Sequence, residues 1–171
     1  MERSITLLKS LSNIVVDPKT AQPLSTTGQP TNSYTLLQGY PIGIIAFEVP
    51  EGVSWVFGPD PIVRMVLFQD AAGTTPIASG DTINFYSKAP SDPPTSLGTL
   101  ITSVPYDMWA TLSKQQQMVG QYANNLKLPV NQQFKLSQNE LLIVAVASLL
   151  SSETVNWTSS YISIPVVQVN N

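Results

Sequence analysis

Apolar and polar positions along this chain come in short runs, and nearly every run stops at a proline or a glycine. The 14 prolines and 9 glycines leave pieces too short for the sustained 3.6-residue periodicity of amphipathic helices. Between the breaks, β-branched and aromatic residues gather at Asn13–Val16, Tyr34–Gln38, Ile42–Val49, Val53–Phe57, Ile62–Gln69, Thr82–Ser87, Leu97–Val104, Gln133–Leu136, Glu140–Leu150 and Tyr161–Val169. These runs are predicted strands. Ile83 and Phe85 share one face of their run, and Ile162, Ile164 and Val166 share one face of theirs, because side chains alternate across a strand. Ile42–Phe47 and Leu141–Ala147 are apolar throughout, which is the pattern of strands covered on both sides. About eight to ten short antiparallel strands without interleaved helices predict an all-β sandwich or barrel.

Three local features refine this picture. Tyr106–Asn125 carries Gly120 as its single breaker and is rich in Gln, Met, Leu and Ala. One short helix capped by Asp107, or a long loop, is therefore expected near 106–125. Ile77–Phe85 and Phe134–Ile143 share one grammar: an apolar lead, a polar turn, an acid or amide, then a core strand. Two such corners suit a sandwich, and a double Greek key has them. Pro165 interrupts the last strand; without an N–H to donate, it places that strand at an edge or at a bulge. Such an edge either pairs with a neighbouring subunit or is blunted against doing so.

The whole of 1–171 is expected to form a single domain, with 1–33 as an extended N-terminal arm. After Val16 that arm runs through Asp17-Pro18-Lys19 to Gln29-Pro30 with little to bury, so it is either mobile or laid along a neighbour.

Composition narrows the chemistry. The chain has no cysteine and no histidine, which removes thiolate metal sites, cysteine nucleophiles and the commonest general base. Lys and Arg number only 8 against 11 acids and are scattered singly, so no phosphate-binding surface is expected and nucleic acid is not a direct partner. Charged residues make 11% of the chain while hydrophobic ones make 43%. That balance folds, but its surface is weakly protected against association and suits coverage by neighbours. Met1–Asp17 lacks the uninterrupted apolar stretch of a signal peptide, and Leu141–Leu150 is half a membrane span.

No catalytic constellation stands out. Ser54 in Gly52-Val53-Ser54-Trp55-Val56 is half of a nucleophile elbow without the second glycine or an activating base, and reads as a strand serine. Asp60, Asp81, Asp92 and Asp107 fall beside turns, as solvated turn-formers do. Glu48, Glu51 and Asp60 are the candidates for a loose cation site, although no Asp-x-Asp run supports them. No cofactor is expected. Asn156-Trp157-Thr158 matches the glycosylation acceptor pattern by chance. Trp55 belongs to an apolar strand and reads as core; Trp109, Tyr122, Trp157, Ile164 and Val166 are the candidates for an interface.

The opening Met1-Glu2-Arg3-Ser4-Ile5-Thr6-Leu7-Leu8-Lys9-Ser10 and the corner Val49-Pro50-Glu51-Gly52-Val53 resemble one family. It is the small major capsid protein of tailless icosahedral phages with an internal membrane, of the kind that infect Thermus. The resemblance implies a single upright jelly-roll β-barrel with no enzymatic activity, made in the host cytoplasm and located in the virion. It also implies a homodimer formed by strand or arm exchange, a second and larger capsid protein as partner, and proximity to viral membrane lipid. Absence of Cys fits a hot environment, whereas the abundance of Gln and Asn does not. The competing expectation is a carbohydrate-binding β-sandwich, a lectin or a host-recognition spike, with an exposed Trp or Tyr beside Asp and Asn.

Overall fold

The computed structural model describes residues 2–10, 33–78, 80–93, 95–106, 124–127, 132–151, 153–156 and 158–171. Among them the chain is all-β, with twelve strands: β1 (Glu2–Ser10), β2 (Ser33–Thr35), β3 (Ile42–Glu48), β4 (Val53–Phe57), β5 (Ile62–Val66), β6 (Asp81–Lys88), β7 (Thr99–Tyr106), β8 (Asn124–Lys127), β9 (Phe134–Leu136), β10 (Leu141–Ala147), β11 (Thr154–Asn156) and β12 (Tyr161–Asn170). The expected strand Asn13–Val16, the rest of the arm to residue 32 and positions 107–123 of the expected helix or loop lie outside the described residues. The opening stretch of the expected arm is β1, paired antiparallel with β12 from Glu2↔Val169 to Ser10↔Tyr161.

Two lanes of the first sheet are each broken into two strands. Val56 faces Val167 and Arg64 faces Ser163, both antiparallel, so eight steps along β4–β5 answer four along β12. The surplus is the Gly58-Pro59-Asp60-Pro61 excursion, where Gly58 and Asp60 take positive φ of 96° and 45°. β4 and β5 therefore lie end to end on one edge of β12, while β1 occupies the other edge. β9 and β8 lie end to end in the same way, against β4 and β5 respectively. The first sheet thus runs β1, β12, β4/β5, β8/β9, and the second runs β3, β10, β6, β7. β2 and β11 make a separate two-stranded pair.

This arrangement overturns the edge reading of Pro165 and leaves the reading of a local irregularity. β12 is flanked on both sides, and Pro165 falls between Ser163, the last residue paired to β5, and Val167, the first paired to β4. A proline is admitted there because the ladder on that side is already interrupted.

The core forms where the two sheets face each other. Ile162, Ile164 and Val166 of β12, Trp55 and Phe57 of β4, and Val63 and Met65 of β5 meet Ile42 and Ile44 of β3, Ile83 and Phe85 of β6, and Leu142, Val144 and Val146 of β10. The Phe57 and Phe85 rings stack at 5.9 Å between centroids, joining the sheets near their middle. A bulge opposite Val144/Ala145 gives β3 one extra residue, which lets consecutive Ile44 and Ile45 both join this cluster. β10 is apolar on both faces for a second reason: Ile143 and Ala145, on its outer side, are buried under Leu97. The 89–98 segment reaches that position because the buried Lys88 ammonium donates to the carbonyls of Pro93 (2.9 Å) and Ser96 (2.7 Å).

Both corners read from the sequence are turns that open the central strands of the second sheet. Gly80 (φ 93°) precedes β6 and Asn139 (φ 66°) precedes β10, and these two strands pair with each other.

Candidate functional site

The structure distributes the sequence-based candidates unevenly. Glu48, Glu51 and Asp60 are all exposed, and the described residues hold no group of three or more potential metal-ligating acids. Trp109, Tyr122 and Trp157 lie outside the described residues. Ile164 and Val166, expected at an interface, are 0% and 4% exposed. Their face of β12 packs into the core of its own chain, and the outward positions are the exposed Pro165 and the half-buried Val167. Ser54 is the strand serine expected of it: its hydroxyl donates to Asn171 Oδ1 at 2.7 Å. Trp55 is core, 4% exposed.

Among the described residues, exposed large apolar side chains gather in two places, with Leu100 of β7 apart from both. On the outer face of the first sheet, Leu8 and Ile62 are exposed. Beside them, a groove of about 290 Å³ opens at the break between β4 and β5, lined by Ser4, Thr6, Val56, Pro59, Pro165 and Val167 among others. The excursion at Gly58–Pro61 makes this hollow, since it lifts the chain out of the lane beside β12. At the end of the sandwich formed by the 37–40 and 148–150 turns, Tyr40, Leu149 and Leu150 are exposed. These turns are joined by Gly39 N donating to Ser148 O (2.8 Å) and Gln38 Nε2 donating to Leu149 O (3.0 Å).

Beneath the second patch lies a polar cluster that sequence reasoning missed. Asp81, expected as a solvated turn-former, is 0% exposed, and Glu153 is 2% exposed. Glu153 Oε1 accepts the Ala78 N–H and Oε2 accepts the Ser148 hydroxyl, both at 2.5 Å. Asp81 Oδ1 accepts the Leu149 N–H at 2.8 Å, while its Oδ2 is buried without a partner. Burial, then the Glu153 side chain beside it and the charge it carries, push the Asp81 carboxyl up to about 7, and the Leu149 and Ala78 amides pull the other way. The turn signal at Gly80 was readable in the sequence; the inward direction of the acid after it was not.

No protein family matches the chain, and no curated protein is similar to it.

Proposed function

We propose that the chain is a structural subunit of a viral shell, a jelly-roll capsid protein that assembles with itself and with a larger capsid protein over an internal membrane. The observation that carries this reading is the strand order. With β4/β5 and β8/β9 each counted as one lane, the sheets run β1-β12-β4/β5-β8/β9 and β3-β10-β6-β7. That order supports two interlocked Greek keys, a jelly roll. The scarcity of charge, 11% of residues, supports surfaces that lose little hydration when covered. Many moderate contacts between such faces hold a shell together by avidity. The exposed leucines at the end of the sandwich and the groove on the first sheet are the described surfaces best suited to those contacts. β1, joined among the described residues to the rest of the sheet through β12 alone, is the segment suited to exchange between two copies.

Light scattering on the purified chain at rising concentration tests self-association: a dimer or larger species is expected, and a strict monomer at high concentration counts against the exchange of β1. Mass spectrometry of purified virions tests the shell role directly. A chain absent from virions that binds immobilised glycans would overturn the proposal in favour of the carbohydrate-binding reading.

A further inference from the structure

Asp81 and Glu153 bring two carboxyl groups together inside this end of the sandwich. Glu153 spends one oxygen on the Ala78 N–H and the other on the Ser148 hydroxyl. Asp81 spends Oδ1 on the Leu149 N–H and leaves Oδ2 orphaned. Two ionised carboxylates with no counter-cation cannot share a dry site. The other influences on Asp81 are the amides of Leu149 and Ala78. From β7 the titratable neighbour is Tyr106, the register partner of Asp81, and its hydroxyl is engaged by the Leu67 N–H at 3.1 Å. Lys88 sits at the opposite end of β6, seven strand positions or about 23 Å away. A proton is what the orphaned Oδ2 lacks, since it converts an acceptor facing an acceptor into a donor facing one.

We propose that Asp81 holds a proton at neutral pH and acts with Glu153 as a proton-dependent latch, which ties the turn between Ala78 and Asp81 to the segment carrying Ser148, Leu149 and Glu153 and loosens that end of the sandwich when the proton leaves. The latch rests on this geometry and is independent of the shell reading. It holds together the elements that display Leu149 and Leu150, whose exposed side chains would shift when it opens. The chain has no histidine, and Asp81 gives it a titrating element near neutrality without one.

The sign follows from linkage. The folded chain holds the proton on Asp81 and the unfolded chain, where Asp81 is an ordinary carboxyl, releases it. The unfolding constant therefore grows as pH rises from the usual carboxylate range to about 7, by up to about tenfold per pH unit, and levels off above. Urea unfolding of the full chain between about pH 5.5 and 8 in EDTA reads this slope.

Asp81→Asn keeps the acceptor for Leu149 and supplies a permanent donor in place of Oδ2, so it should fold and lose the slope. Glu153→Gln removes the neighbouring charge but not the burial of Asp81, and should narrow the pH range over which the slope runs even where overall stability falls. Infrared spectra of the wild type at neutral pH should contain a protonated carboxyl band that Asp81→Asn abolishes. A wild type without a slope, or an Asp81→Asn variant that retains one or fails to fold, would overturn the latch. So would calcium chloride restoring the stability of the wild type but not of Asp81→Asn at pH 8, since the orphaned oxygen would then be a cation ligand.

Discussion

Gly98→Ala and Gly52→Ala separate two costs that glycines usually conceal together. Both positions have positive φ, +90° and +81°. An alanine at either therefore carries the left-handed penalty of about 1–2 kcal/mol. At Gly52 a Cβ meets nothing within 4 Å, and the penalty should stop there. At Gly98 the Cβ would lie 2.1 Å from the Ser87 carbonyl oxygen and 2.8 Å from Lys88 Cα. Ordinary contact begins at 3.4 Å, so the backbone must retreat by more than 1 Å. Both clashing atoms belong to β6, whose Ser87 pairs with Thr99 and whose Lys88 secures the 89–98 segment. The close approach cannot be relieved by turning a flexible side chain. Crowding of this kind adds about 1–3 kcal/mol, which brings Gly98→Ala to a loss of about 2–5 kcal/mol against about 1–2 for Gly52→Ala. Urea unfolding at fixed pH, with slopes compared so that denatured-state effects are recognised, measures both. Losses equal within about 0.5 kcal/mol would refute the crowding argument and show that the β6–β7 approach is looser than described.

Phe57→Ala should cost about 3–5 kcal/mol in the same assay, because Phe57 is fully buried and stacked on Phe85; Leu8→Ala, at a side chain 68% exposed, should stay within about 0.5 kcal/mol. Lys88→Met keeps the apolar stem but leaves the Pro93 and Ser96 carbonyls without their donor. It should speed exchange of the Asp92 and Ser96 amides, which close the turns of this segment, while amides in the β10–β3 ladder stay protected. Burial raises the Asp70 carboxyl, but the bonds from Thr74 and Thr75 together outweigh it and hold the group below its ordinary value. The 70–75 loop is therefore supported above the ordinary carboxylate range and released as pH falls through the lowered value. Exchange of the Thr74 and Thr75 amides, which Asp70 accepts, should accelerate only at the acid end, and Asp70→Asn should remove much of that dependence.

What could be read from the sequence was what alternation and burial dictate locally. Val53–Phe57 and Tyr161–Val169 coincide with β4 and nearly with β12, because their apolar faces repeat every second residue. The two-sided burial of β10 was also legible, since seven consecutive apolar residues leave no wet face. β1 was missed: in ERSITLLKS Arg3 and Lys9 bracket the two positions, Ile5 and Leu7, that reach the core. β8, with the sequence NNLK, has little strand propensity of its own and pairs because β5 presents an edge. Pro165 could not decide between its two readings, because an edge and a gap in a partner's ladder make the same local demand. Asp81 misled because an acid after a turn glycine reads alike whether it points to solvent or toward Glu153. In each case the deciding information sits in a distant part of the chain.

The pairing of β1 with β12 also fixes how the fold bears load. Glu2 faces Val169, while Ser10 faces Tyr161 at the far end of the same ladder. Tension applied through residues 2 and 169 pulls on one end of that ladder, so its hydrogen bonds break in succession, rung by rung, as in a zipper. Tension applied through residues 2 and 161 runs along the strands and loads all nine register pairs at once. The same two strands are therefore compliant in one direction and stiff in the other, and the points at which neighbours grip them decide which response the protein gives.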